Sequence, residues 1–325
     1  MTSNSSPNPT EFTYRNGDFE LTADYYVPDV SQTEQSTSRP LIMFIHGGAY
    51  MLGNSRMNSN LQITDCLSRG WIVVAPNHRL CPQVDVLEGP ISDCRRLWQW
   101  IHAGDLDGLL GEHGHNITVD RSRMVVIGTS AGGMIAYSLA FADQPNPPLA
   151  ILDFYGSKDP RNSLWSETLP FIPAPPMQAD TIDRVLAETP TATKHSVSLE
   201  GQKSDSLPDA RFTWAMNLIK TARLWPTIYP RAVTDPSTYA LIDSMQNVHP
   251  KHPPTCIIHG DADKMVPLSI SQGQYDLLQA NGIESELIVV PGEGHTFAGK
   301  MEKGSRTYEI QRQGFDWLER KIREV

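Results

Sequence analysis

Met124-Val125-Val126-Ile127-Gly128-Thr129-Ser130-Ala131-Gly132-Gly133 decides the reading of this 325-residue chain. A β-branched apolar strand runs into G-x-S-x-G, and a helix-like segment follows. A serine in that context sits on a sharp strand-to-helix turn with its hydroxyl exposed. The glycines answer a steric need, because backbone meets backbone closely in such a turn and a Cβ at Gly128 or Gly132 would clash. The helix that begins at Ala131 aims its free N–H groups and positive dipole end at the serine. G-x-S-x-G alone is a weak pattern, so its weight rests on what lies around it.

Upstream, Leu41-Ile42-Met43-Phe44-Ile45-His46-Gly47-Gly48-Ala49-Tyr50 is an apolar strand ending in H-G-G-A. It is a variant of the H-G-G-G loop, whose backbone N–H groups hold an oxyanion. The amides of Gly48, Ala49 and Ala131 are the expected oxyanion hole. Ala49 keeps the backbone donor of the usual glycine, and its methyl group narrows the space above the serine. Downstream, Thr255-Cys256-Ile257-Ile258-His259-Gly260 reads as a strand and leads into a loop with Asp261 and Asp263. A further strand, Leu287-Ile288-Val289-Val290, leads to His295. The order serine, aspartate, histidine differs from that of chymotrypsin-like and subtilisin-like enzymes.

These motifs together resemble the esterase-type α/β-hydrolases, close to the hormone-sensitive-lipase-like branch that carries H-G-G-x and G-T-S-A-G. Asn77-His78-Arg79-Leu80-Cys81-Pro82 is similar to that branch's Y-R-L-A-P segment, and Ile91-Ser92-Asp93-Cys94 to its D-C helix. The resemblance runs from about Leu41 to the C-terminus with a gap in the middle. It implies Ser130 as nucleophile, His295 as base and one of the two aspartates as its orienter. The pattern H-G-x-x-D-x-x-V-P places that role on Asp263, which leaves Asp261 to shape the loop through bonds to nearby backbone. No metal or organic cofactor is implied.

Strands alternating with helices predict an α/β fold: a mainly parallel central sheet, helices on both faces, and an inserted cap. Residues 1–10 read as disordered. Asn16-Gly17 between two short apolar stretches reads as a hairpin turn, and Asp29 to Pro40 as a polar loop. The core is expected over 11–156 and 249–325. Between them, residues 157–248 break the pattern with a proline-rich apolar run, Leu169 to Met177, and an amphipathic helix over Arg211–Lys220. This insertion is expected to cap the serine, with Tyr50, Trp165, Phe171, Trp214, Met216 and Trp225 as candidate pocket walls. Only 40 residues precede Leu41, so the two-part cap of the full hormone-sensitive-lipase-like branch is not expected.

The remaining candidates have plainer readings. His46 is expected to brace the oxyanion loop, His259 to be a packed histidine, and His249 and His252 to belong to a loop without enough ligands for a metal. Asp153, at the end of an apolar strand, either faces the pocket or bonds a backbone amide; the second is favoured. Trp98 and Trp100 cannot both face the core from one helix. Cys66, Cys81, Cys94 and Cys256 read as reduced thiols acting as small apolar residues.

Twenty-seven basic and 37 acidic residues leave a net charge of −10 without a basic stripe, so no nucleic-acid partner is expected. The N-terminus lacks a basic region followed by an apolar one, and no apolar run reaches the roughly 18 residues a membrane span needs. The expected setting is therefore cytoplasmic, the expected partner is a small-molecule apolar ester or acyl substrate, and a homodimer is left open. The leading function is hydrolysis of a carboxylic ester through an acyl-enzyme. Alternatives are amide or thioester hydrolysis, biosynthetic acyl transfer or cyclisation by the same triad, and a non-catalytic ligand-binding protein on this fold.

Overall fold

The computed structural model of the protein describes residues 7–29, 37–197 and 209–325. Its strands are β1 (Thr10–Arg15), β2 (Leu21–Tyr26), β3 (Ser38–Ile45), β4 (Ile72–Pro76), β5 (Thr118–Thr129), β6 (Ile151–Phe154), β7 (Thr255–Gly260) and β8 (Ser285–Val290). Its helices are α1 (Asn60–Ser68), α2 (Ser92–Ala103), α3 (Asp105–Glu112), α4 (Ala131–Ser138), α5 (Thr181–Leu186), α6 (Ala210–Lys220), α7 (Leu224–Ile228), α8 (Arg231–Thr234), α9 (Leu268–Ala280) and α10 (Arg306–Arg323).

The strands form one sheet in the order β1-β2-β4-β3-β5-β6-β7-β8. β1, β2 and β4 pair antiparallel, and every pairing from β4 to β8 is parallel. Side chains on a strand alternate between faces, so a sheet covered on both sides needs apolar residues at every position. β3 meets this demand: Leu41, Met43 and Ile45 enter the core on one face, and Ile42 and Phe44 the core on the other. Each such side chain is worth roughly 1.5–3 kcal/mol when fully buried. Among the described residues no helix is long and apolar enough to cross a membrane.

Two boundaries differ from the sequence reading. Residues 1–6 lie outside the described ones, but Thr10 opens β1 rather than belonging to a disordered tail, because it pairs with Tyr25 across the ladder. Ser38, Arg39 and Pro40 likewise extend β3 rather than end a loop, with Ser38 and Arg39 registered against Thr118 and Val119. Both extensions depend on distant partners. Trp98 and Trp100 both meet the same core, contrary to the sequence reading: Trp98 is buried on α2 and donates to Asn146 O at 2.6 Å, and the partly buried Trp100 reaches that core by stacking on Phe12 with ring centres 5.3 Å apart. The four cysteines are buried free thiols.

The segment between β6 and β7 carries α5 to α8 and is bonded to the loops after β3 and β4. Gly53 N donates to Val197 O at 3.1 Å, His195 N to Gly53 O at 2.9 Å, and Leu80 N to Ala192 O at 2.8 Å. Arg211, buried on α6, pairs with Glu188 and donates to Gln83 Oε1 and to the carbonyls of Met51 and Cys81.

Candidate active site

Ser130 stands at the junction of β5 and α4 with φ 52° and ψ −119°. A non-glycine residue in that region is strained, and it persists only where its surroundings over-determine it. Here they do. Ser130 N donates to Phe154 O at 2.9 Å, and Ser130 O accepts from Gly133 N at 3.0 Å and Ser157 N at 3.1 Å. A Cβ on Gly132 would strike the carbonyl of Ile45.

β5 and the loop after β8 bring Ser130 Oγ within 2.9 Å of His295 Nε2. His295 Nδ1 is 2.6 Å from Asp263 Oδ2. A carboxylate accepts only, so Nδ1 carries the proton, and in the neutral imidazole Nε2 is left to accept from the serine hydroxyl. Asp263 Oδ1 accepts from the amides of Met265 and Val266 at 2.9 and 3.0 Å. Burial alone would raise its carboxyl. His295, His259 and the Val266 amide outweigh that and hold it well below the ordinary carboxylate range. Asp261 points elsewhere and accepts from Gly292 N at 2.6 Å, as a loop-shaping residue does.

Gly48, Ala49 and Tyr50 follow β3 with φ of 117°, 53° and 63°, three left-handed residues in a row. Gly48 O accepts from Met51 N and Leu52 N, and a Cβ on Gly48 would collide with Leu52 O. Ala49 and Ala131 line the pocket beside Ser130, and Gly48 closes the turn that carries Ala49. His46 Nδ1 lies 2.7 Å from Gly47 O, and its ring stacks on His78 at 4.6 Å. Burial, helped by His78, pushes the His46 imidazole down to about 3, and burial pushes His78 down to about 4. Both rings are therefore neutral at neutral pH.

The pocket at Ser130 encloses about 90 Å³ of water-accessible space, where one water needs roughly 10–15 Å³. Tyr50 and Trp165 line it as expected, and so does Trp225. Three candidates do not. Phe171 is 53 % exposed, in the bends of the proline-rich run. Trp214 packs into the apolar core, and Met216 is buried away from the lining. A helix places successive residues on different faces, and the pattern of α6 does not say which face meets the serine. The sequence reading missed Ser157, Leu164, Leu169, Leu224 and Met265, which also line the pocket. Ser157 follows β6, and its proximity to Ser130 arises from the pairing of Thr129 with Phe154. The Tyr50 hydroxyl lies 2.8 Å from Ser157 Oγ.

The plainer candidates resolve as follows. Asp153 Oδ1 accepts from Gly156 N at 2.9 Å, and Oδ2 pairs with Lys158. His249 Nε2 lies 2.9 Å from Ala140 O, and His252 Nδ1 2.9 Å from Pro253 O. His259 is buried, but it also reaches Asp263.

Residues 42–299 match the family model described as alpha/beta hydrolase fold. The chain belongs to the α/β-hydrolase family. Its curated relatives include the non-reducing polyketide synthase Preu6 of Preussia isomera, 30 % identical over 91 % of this chain, and ascC of Acremonium egyptiacum, 30 % identical over 92 %. The hydrolase chain spans 14 % and 15 % of those much longer proteins. Among solved structures, a Staphylococcus aureus protein of unknown function aligns with TM-score 0.67 at 19 % identity, covering 96 % of this chain and 99 % of that one. Thermogutta terrifontis esterase 2 phosphonylated by sarin aligns with TM-score 0.61 at 17 % identity, covering 100 % and 97 %. At such identities the likeness concerns the fold.

Proposed function

We propose that this α/β-hydrolase is a serine esterase that cleaves a carboxylic ester of a small to medium apolar substrate. The observation that carries the reading is the unbroken contact from Ser130 Oγ to His295 to Asp263 at the floor of an apolar, aromatic-walled pocket. Ser130 Oγ attacks the ester carbonyl while His295 Nε2 takes the hydroxyl proton. Asp263 holds the imidazole's orientation and stabilises its charged form. The amides of Gly48, Ala49 and Ala131 stabilise the tetrahedral oxyanion, with one such donor typically worth about 100- to 1,000-fold in rate. Collapse breaks the ester C–O bond, and His295 returns the proton to the departing alkoxide. Water then attacks the acyl-enzyme with His295 again as base, which frees the acid and restores Ser130.

Residues 157–248 are assigned as a cap over a core of 11–156 and 249–325. Leu164, Trp165, Leu169, Leu224 and Trp225 of that segment support this, because they line the same pocket as Ser130. A second reading is favoured by the relatives: polyketide synthases match this chain over nearly its whole length. In it the acyl group arrives as a thioester and leaves to water or to another nucleophile through the same triad.

A burst assay with p-nitrophenyl acetate, butyrate and octanoate, wild type against Ser130→Ala, tests the first reading. Turnover lost in the variant supports it, and undiminished turnover overturns it. N-acetylcysteamine thioesters of the same acids separate the two readings. A preference for the thioester by kcat/KM, or a burst without turnover, favours the second.

A further inference from the structure

The acyl chemistry uses nothing behind Asp263, yet Lys158, Ser271 and His259 are fully buried there. Lys158 follows β6; its ammonium pairs with Asp153 at 2.6 Å and donates to Gly156 O at 2.8 Å and to Ser271 Oγ at 3.0 Å. Ser271, on α9, lies 2.7 Å from His259 Nδ1. His259, near the end of β7, sets Nε2 2.8 Å from Val266 O and 3.3 Å from Asp263 Oδ2, the oxygen that also meets His295.

The two ends of this chain fix its direction. An ammonium only donates, and a carbonyl only accepts. Val266 O therefore requires the proton on His259 Nε2, and a neutral His259 then accepts at Nδ1. Ser271 must donate to that nitrogen and accept from Lys158. Every hydrogen bond runs one way, from the ammonium to the Val266 carbonyl, and the same His259 Nε2 stands 3.3 Å from Asp263 Oδ2.

An ion pair sealed from water contributes little net stability, since apolar residues of like volume do as well or better. Here the pair is joined through Ser271 to His259, beside Asp263. We propose that Lys158, Ser271 and His259 are a positioning relay that locks the Asp263 carboxylate in the rotamer that holds His295. The relay rests on the proposed triad, and it adds three residues that act through Asp263 rather than on the substrate.

Ser271→Ala breaks the relay at its middle by removing one oxygen. With a p-nitrophenyl ester, kcat is expected to fall about tenfold, the scale of a lost hydrogen bond in a charged network, while KM stays within about twofold. Ser271→Thr, which keeps the hydroxyl, is expected to restore most of it. In an Asp263→Asn background Ser271→Ala is expected to cost almost nothing more, because residues that act through one another are not additive. Unchanged kcat in Ser271→Ala, or a full additional loss in the Asp263→Asn background, overturns the relay. If Ser271→Ala unfolds at the assay temperature, Ser271→Cys, close in volume and a weaker donor, is read by the same criteria. Failure of the triad itself appears separately, as undiminished turnover in Ser130→Ala.

Discussion

A Cβ placed on Gly128 would run into the carbonyl group of Gly132, one turn further along the same elbow. The obstacle is backbone, which cannot swing aside as a side chain can. The pair sets how sharply β5 turns into α4, and so where Ser130 Oγ stands.

Gly128→Ala and Gly132→Ala should each cost about 3 kcal/mol or more, as overpacking against backbone does. Gly108 on α3 has open space around its Cβ position, and Gly108→Ala should gain roughly 0.4–1 kcal/mol. Urea unfolding of the three variants checks this, and equal effects at all three would contradict it.

Asp263→Asn should lower kcat by about 10³- to 10⁴-fold by favouring the wrong imidazole tautomer. Asp261→Asn, whose partner is a loop amide, should leave kcat within about threefold, because a single neutral hydrogen bond is worth only about 1 kcal/mol. Steady-state kinetics on both variants distinguishes the two aspartates, and a reversed order would move the acid to Asp261.

Trp225 is 4 % exposed and packs its ring against Tyr50, Trp165 and Tyr239. Trp225→Ala should destabilise the fold by about 3–5 kcal/mol and shift preference toward longer acyl chains by enlarging the pocket. Phe171→Ser should change neither stability nor chain-length preference. Parallel melting curves and p-nitrophenyl ester series read both; a selectivity change in Phe171→Ser alone would place the pocket elsewhere.

Stability should fall as the solution is acidified below about pH 6.5. Burial pushes His46 down to about 3, and His78 and His252 down to about 4, from an ordinary 6.5. The unfolded chain takes up those protons before the folded one can. Their contribution is thus complete above 6.5 and is lost as pH drops from there toward 4. Asp263, held low in the fold, adds a further loss below the ordinary carboxylate range. Melting temperature should decline from pH 7 to pH 4, and His78→Phe should flatten the decline; an identical slope in that variant would remove His78 from the account.

What could be read ahead of the structure was whatever chemistry demands locally. The elbow needs glycine at Gly128 and Gly132, and the loop after β3 needs consecutive left-handed residues, so both announce themselves in a few letters. The aspartate was separable because Asp261 and Asp263 sit at different offsets from His259. The pocket walls were not legible, because Phe171 and Trp165 look alike until the segment is packed. The relay was hidden for another reason: Lys158 and Ser271 are 113 positions apart, and neither belongs to a pattern. His259 looked like packing because its neighbours in sequence are apolar.

The bonds from Ala192, His195, Val197 and Arg211 to the loops following β3 and β4 bear on how this enzyme can be remodelled. The paired bonds at Gly53 and the Arg211 bond to Met51 O tie the inserted segment to the loop that presents Ala49, and the Arg211 bond to Cys81 O ties it to the loop after β4. The segment is therefore not a cassette. Grafting it onto another hydrolase, or replacing it with a relative's, would leave Met51 O, Cys81 O and Gly53 without their partners. A chimera that keeps these bonds must carry Gly48–Gln83 along with the inserted segment.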